Sequence, residues 1–170
     1  MLNQKGVKVT LMAGAMESTT HTIVNSHYKK YRRPILDTGA QLFEFHSDPS
    51  EATRGLADAK PVRAKFVSPH LKAMVSDREV CFIGSLNFDP RALIINTESG
   101  LVVESKSLSG ELTDFLLSLT DLQDSWSVYL EDDKIRWRSH EGVKKMQPAR
   151  HFPQRTMDFF YRFIPVEGQL

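Results

Sequence analysis

A chain of 170 residues, 41% hydrophobic and 25% charged, has enough apolar material for a real core, which excludes a disordered or low-complexity polypeptide. The formal charge of +1 gives no global attraction to nucleic acid or anionic lipid, so any such attraction has to be local. The lone Cys81 rules out an internal disulfide, no apolar run is long enough to span a bilayer, and the polar start Met1-Leu2-Asn3-Gln4-Lys5 does not read as a secretory signal.

In chain order, Val7–Ala13 alternates as a strand and is followed by a loop through Gly14-Ala15 and Ser18-Thr19-Thr20. Thr22–Leu36 reads as a helix ending before Gly39, which Pro34 should kink or shorten. Ala40–Phe45 is a second strand and Asp48–Pro61 a polar loop. Ser68–Val75 and Val80–Gly84 form paired strands around the turn Ser76-Asp77-Arg78-Glu79, with Cys81 expected as a buried strand thiol. Asp89-Pro90 starts a helix with Asp89 as N-cap, Glu98–Glu104 is a strand, and Gly110–Leu122 is an amphipathic helix. Ser127–Leu130 and Lys134–Trp137 flank Glu131-Asp132-Asp133 as a hairpin, and the Arg- and Phe-rich remainder gives no clear element. Strands mixed with helices predict a layered α/β fold with a mixed sheet. It is read as a single domain over 1–170, with 127–170 as a hairpin and an aromatic, basic tail.

Residues suited to phosphoryl chemistry are concentrated between positions 70 and 98. In a strand, His70, Lys72 and Met74 share one face and Leu71, Ala73 and Val75 the other. A neutral imidazole can attack phosphorus while an ammonium beside it draws charge from the non-bridging oxygens. Ser85 and Asn87, again two apart, add neutral donors for the same phosphate. Glu98 is placed to hold the second imidazole nitrogen and stabilise a cationic phospho-imidazole. Asp77 falls in the turn and reads as structural. There is no spacing of metal ligands and no cofactor motif. The other His-x-Lys, His27-Tyr28-Lys29, has Pro34 where an Asp would be needed, lies in a helical stretch, and is set aside as a catalytic motif.

The pattern His70-x-Lys72, four residues, Asp77, six residues, Gly84-Ser85-x-Asn87 resembles the signature of the phospholipase D superfamily. Phe88-Asp89-Pro90-Arg91 and Asn96-Thr97-Glu98-Ser99-Gly100 are similar to the bacterial cardiolipin synthase branch, its third type in particular. Looser similarity runs through Tyr28–Pro34, the Trp126–Trp137 hairpin and the end Ile164–Leu170. The resemblance covers nearly the whole chain but only the C-terminal half of a typical member, and a start so close to a core strand reads as a cut. Two departures are Leu71, where a small polar residue is usual, and Ala92, where a serine is common.

The resemblance implies a metal-independent, two-step phosphatidyl transfer in which one histidine carries the covalent intermediate and a second, from another half, serves as acid and base. Carried over, the catalytic set is His70, Lys72, Asp77 and Glu98, and the phosphate clamp is Lys72, Ser85 and Asn87. The implied partners are a phospholipid such as phosphatidylglycerol or phosphatidylethanolamine, and either a complementary N-terminal half or a homodimer mate. The implied location is the cytoplasmic side of the bacterial inner membrane, held peripherally. Competing readings are a single-motif homodimeric phosphodiesterase or nuclease, against which the near-neutral charge argues, and a catalytically incomplete fragment or binding module.

Two surface segments stand out. Lys29, Lys30, Arg32 and Arg33 read as a solvated helix face, with a phosphate-facing patch beside Tyr28 and Tyr31 as the alternative. Lys134–Arg162 holds eight Lys or Arg against Glu141 and Asp158, interleaved with Trp137, Phe152, Phe159 and Phe160. That mixture suits either anionic headgroups or docking on a missing half. His140 and His151 are expected as surface residues.

Overall fold

Alternating apolar residues and two tight turns organise the strands of this protein. The structure, a computed structural model, describes residues 5–58, 64–87 and 90–164. The described residues fall into two compact units, one formed by 5–58, 64–69 and 119–163, the other by 70–87 and 90–118 with Ile164. The fold is the expected mix of strands and helices, in two sheets.

The first unit holds a five-stranded sheet in the order β1-β2-β6-β7-β8, formed by Thr10–Gly14, Gln41–Phe45, Ser125–Glu131, Lys134–Ser139 and Gly142–Lys144. The β1/β2 pair is parallel and the other pairs are antiparallel, so the sheet is mixed. Inward positions at period two place Leu42, Val128 and Trp137 with Trp126 and Ala15 in one buried cluster, closed by Ile35, Leu36 and Ile135. Phe45, Val67 and Leu119 form a second cluster with Met12. The β6/β7 hairpin turns at Asp132 and Asp133, both at positive φ (49° and 62°), a conformation aspartate tolerates better than most residues.

The helical stretch after β1 is broken, as Pro34 led us to expect. It forms α1 (Thr22–Tyr28), a 3-10 turn at Lys29–Tyr31 and α2 (Arg32–Asp37). Proline has no N–H to give to the preceding turn, and in the first turn of α2 none is needed. The polar loop expected at 48–61 instead contains a helix, α3 (Glu51–Ala57). Ser50 caps it by accepting from the Thr53 amide at 3.3 Å, a serine N-cap signal that the polar composition masked. The tail also contains α6 (Phe152–Tyr161), capped by His151 Nδ1 accepting from the Gln154 amide. Asp89, Pro61 and the Pro165–Leu170 end lie outside the described residues.

The second unit is an antiparallel sheet of β3 (Ala73–Ser76), β4 (Val80–Gly84) and β5 (Gly100–Glu104), with α4 (Pro90–Ile94) and α5 (Lys106–Ser118). α5 packs on β3 and β4, and Cys81 is buried on β4 as expected. The helix begins four residues before the expected Gly110 because Ser105 Oγ accepts from the Leu108 amide. β3 is shorter than the sequence suggests. Its partner ends at Gly84, whose amide donates to Lys72 O at 3.1 Å, so among the described residues no strand stands opposite residues 68–71.

Candidate active site

His70 and Lys72 therefore sit on an extended lead-in to β3, not within the ladder. The turn after β4 brings Ser85 and Asn87 to the same place. These four side chains line one open cleft of about 590 Å³ in the second unit, whose floor is the backbone of Gly84, Ser99 and Gly100 and whose walls include Ile83 and Leu101. Among the described residues, neither the His70 imidazole nor the Asn87 amide has a hydrogen-bond partner, and the Lys72 ammonium reaches only the His70 carbonyl, at 3.4 Å. Leu71 is half exposed and does not line the cleft.

Two glycines make the floor possible. Gly84 and Gly100 pair directly across β4 and β5, and the Phe82 ring lies over both. A Cβ on Gly84 would stand 2.5 Å from the Ser99 carbonyl and 2.8 Å from the Phe82 ring, and one on Gly100 would collide with the same ring. The absence of side chains at both positions gives the Phe82 ring its place across the end of the two strands.

Ser85 and Glu98 depart from expectation in their partners. The Ser85 hydroxyl donates to Glu98 Oε2 at 2.5 Å and accepts from the Ser99 amide at 3.0 Å. The Ser85 amide in turn donates to the Ser99 carbonyl at 2.8 Å. Glu98 Oε1 accepts from Asn96 Nδ2 at 3.3 Å. Glu98 thus holds Ser85, where the sequence suggested that it would hold His70. Register explains this: the β4/β5 pairing continues one step past Gly84 and Gly100, and it carries Ser85 toward Ser99 and its neighbour. The single Ser85 proton is engaged with a carboxylate, which leaves Lys72 and Asn87 as the donors open to a ligand.

Asp77 is the one member of the motif held apart. It lies in the β3/β4 turn with φ 52°, next to Arg78 at φ 59°, and does not line the cleft. At a strand rise of about 3.3 Å per residue it stands roughly 16 Å from Lys72 along the hairpin. Arg78 ties this end to α5 by pairing with Asp114 at 2.7 Å, and that hydrogen bond holds the Asp114 carboxyl below its ordinary value. Among the described residues no group of three or more His, Cys, Asp or Glu side chains is arranged to hold a metal ion.

The first unit contains a polar core that sequence reading missed. Glu44, fully buried in β2, accepts from Arg32 Nε at 2.5 Å and from Trp137 Nε1 at 2.9 Å, while Arg32 Nη1 donates to Gln147. Glu17 accepts from Trp126 Nε1 at 2.9 Å and lies 3.2 Å from His46 Nδ1. Burial raises the Glu17 carboxyl, but the hydrogen bonds of His46 and Trp126 and the charges of His46 and Lys144 outweigh it and leave the group below its ordinary value. Burial, with the nearby Glu44 charge, pushes the Tyr28 phenol well above its usual range.

The basic run is corrected accordingly. Arg32 is buried against Glu44, Lys29 pairs with Asp158 at 2.7 Å, and Arg33 bonds Asp37 and Asp133. It is neither a free solvated face nor a phosphate patch, because three of its four cations knit elements together. His27 is buried on α1, while His140 is exposed, as expected, and rests against the Leu122 carbonyl at 3.1 Å.

Comparison with known proteins supplies a second line of argument. The family described as "Cardiolipin synthase, PLD-like domain" matches residues 1–119. Cardiolipin synthase C of Escherichia coli K12 is 30% identical over 98% of this chain and 36% of its own length. Two uncharacterized proteins of Helicobacter pylori, from strains J99 and 26695, are 26% and 25% identical over 95% of this chain and 32% of theirs. The chain thus spans about a third of the length of these curated relatives. No solved structure matches it.

Proposed function

The chain belongs to the cardiolipin synthase family of phospholipase D-like domains, and from that premise we propose that it contributes one half of a phosphatidyl-transfer site, with His70 as the residue that carries phosphorus. The observation that supports this most is the convergence of His70, Lys72 and Asn87 on one open cleft, with donors committed, among the described residues, to no protein acceptor but the His70 carbonyl at 3.4 Å.

A phosphodiester seated there meets Lys72 and Asn87 at its non-bridging oxygens. They oppose the charge that accumulates in the transition state. The imidazole nitrogen of His70 attacks phosphorus, a P–N bond forms, and the bond to the leaving alkoxide breaks. A second histidine gives the leaving oxygen its proton, then takes one from the acceptor alcohol, whose oxygen displaces His70 and restores the free imidazole. Splitting one displacement into two lowers each barrier. The Ser85–Glu98 bond serves this scheme by fixing the turn that carries Asn87.

The second histidine comes from outside the chain in this reading, because His27 is buried in α1 and offers no second motif. A complementary half-domain or a second copy of this chain would supply it. Leu101, an apolar side chain of the cleft wall that is 70% exposed, supports a protein partner of one kind or the other. The proposed substrate is an anionic or zwitterionic phospholipid met at a membrane surface. No helix among the described residues is long and apolar enough to cross a membrane.

The test is turnover of phosphatidylglycerol by this chain alone, and mixed with a segment carrying a second His-x-Lys set. We expect activity in the mixture, or in a sedimenting dimer, and its loss by at least about a thousandfold in His70→Ala with unfolding unchanged. Turnover that survives His70→Ala would remove the proposal.

A further inference from the structure

α6 is inserted in the reverse of the usual sense. An amphipathic helix in water buries its apolar stripe and shows its polar one. Here the buried side is polar: Gln154 and Asp158, one turn apart, face α1, whose own buried residues are Asn25, Ser26 and His27. Gln154 donates to the Met16 carbonyl at 2.6 Å and accepts from the Arg150 amide at 3.0 Å. Asp158 accepts from Lys29 at 2.7 Å and from Gln147 at 3.0 Å. These bonds fix the rotation of the helix, so its outer face is not the product of loose attachment. That face is aromatic, with Phe152 77%, Phe159 47%, Phe160 61% and the following Phe163 66% exposed.

Each phenylalanine left in water forgoes the free energy of its burial, so the arrangement makes sense only with something covering it. The charges indicate what. Asp158, the only acid in the helix, is buried and paired, whereas Arg155 and Arg162 flank the aromatic face. The Arg162 guanidinium lies 3.9 Å from the Phe159 ring centroid and 4.8 Å from that of Phe163. Rings that reach below the headgroups, with cations beside them at phosphate level, are what an anionic bilayer interface binds.

We propose that the outer face of α6 docks this chain on an anionic phospholipid bilayer, with the phenylalanines inserted and Arg155 and Arg162 on the headgroups. This rests on the phosphatidyl-transfer reading only for taking a membrane lipid as substrate. Flotation with vesicles of equal parts phosphatidylcholine and phosphatidylglycerol tests it. The full chain should float with these vesicles and not with pure phosphatidylcholine, and added salt should weaken the binding. Phe159→Ser with Phe160→Ser should reduce the partition coefficient by roughly tenfold or more. Arg155→Glu with Arg162→Glu should do the same on the anionic vesicles.

His70→Ala, inactive under the proposed function, should float like the parent, which separates failure of docking from failure of chemistry. The docking proposal is overturned if the parent chain does not float, or if the Phe pair can be replaced without loss of binding. It is equally overturned if those replacements dissociate a dimer in sedimentation and leave vesicle binding intact, since the face would then be covered by protein.

Discussion

The two units of this protein treat their polar side chains in opposite ways. In the first, Arg32, Glu44, Glu17 and Asp158 are buried and matched by partners from distant parts of the chain. In the second, His70, Lys72 and Asn87 stand at an open cleft, where among the described residues their side chains make only a long contact from Lys72 to a backbone carbonyl. A buried charge survives only with its counterpart, so the first set reads as architecture. A cation and an imidazole kept available in a concave site read as chemistry awaiting a ligand. Burial beside a carboxylate, more than residue type, separates the histidine at 46, held through Nδ1 by Glu17, from the histidine at 70, which lines an open cleft.

The contrast can be broken by substitution. The largest effect should come from Arg32→Ala, which strands Glu44 in the core and should cost about 3–5 kcal/mol in denaturant unfolding. A loss below about 1 kcal/mol, as for a surface pair, would make the buried network ornamental. Next is Lys72→Ala, which should lower turnover by roughly a hundred- to a thousandfold while leaving Tm within a degree or so of the parent. A fall in Tm with turnover preserved would reverse the assignment.

Acid should distinguish the units as well. The Glu17 carboxyl is held below its ordinary value in the folded state, so its contribution to stability is full above the unfolded glutamate pKa. That contribution is lost as pH falls through the lower folded value. Denaturant midpoints should therefore decline as the pH drops below the ordinary glutamate range, and Glu17→Gln should flatten that part of the profile. An unchanged profile would show that the His46 and Trp126 contacts do not set this carboxyl. The smallest effect is expected from Asp77→Asn, which keeps a side chain tolerant of positive φ. Turnover should change by less than about tenfold; a loss beyond about a hundredfold would return Asp77 to the catalytic set.

Much of the candidate site was legible in the residues because it is local. His70 and Lys72 are two apart, Ser85 and Asn87 are two apart, and one tight turn joins the strands that carry them. The hairpins at Asp77 and Asp132 were legible for the same reason. What escaped depends on distance along the chain. Glu98 meets Ser85 through the β4/β5 register, thirteen residues away, and no spacing rule distinguishes that from an imidazole contact. Arg32 read as part of a solvated run because its partner, Glu44, lies twelve residues on in β2, where no local spacing rule pairs the two. α3 was hidden by polar composition. α6 was obscured by its inverted amphipathicity: the tail gave no clear element in the sequence, and the structure turns Gln154 and Asp158 inward while the phenylalanines stay exposed.

The central claim is that His70 bonds covalently to phosphorus. Rapid quench in alkaline denaturant of the chain with phosphatidylglycerol labelled in its phosphate, alone and with a segment bearing a second motif, tests this directly. The account predicts an acid-labile, base-stable label on the peptide containing His70, absent from His70→Ala. Label on another residue, or turnover with no label on that peptide at any quench time, would contradict it.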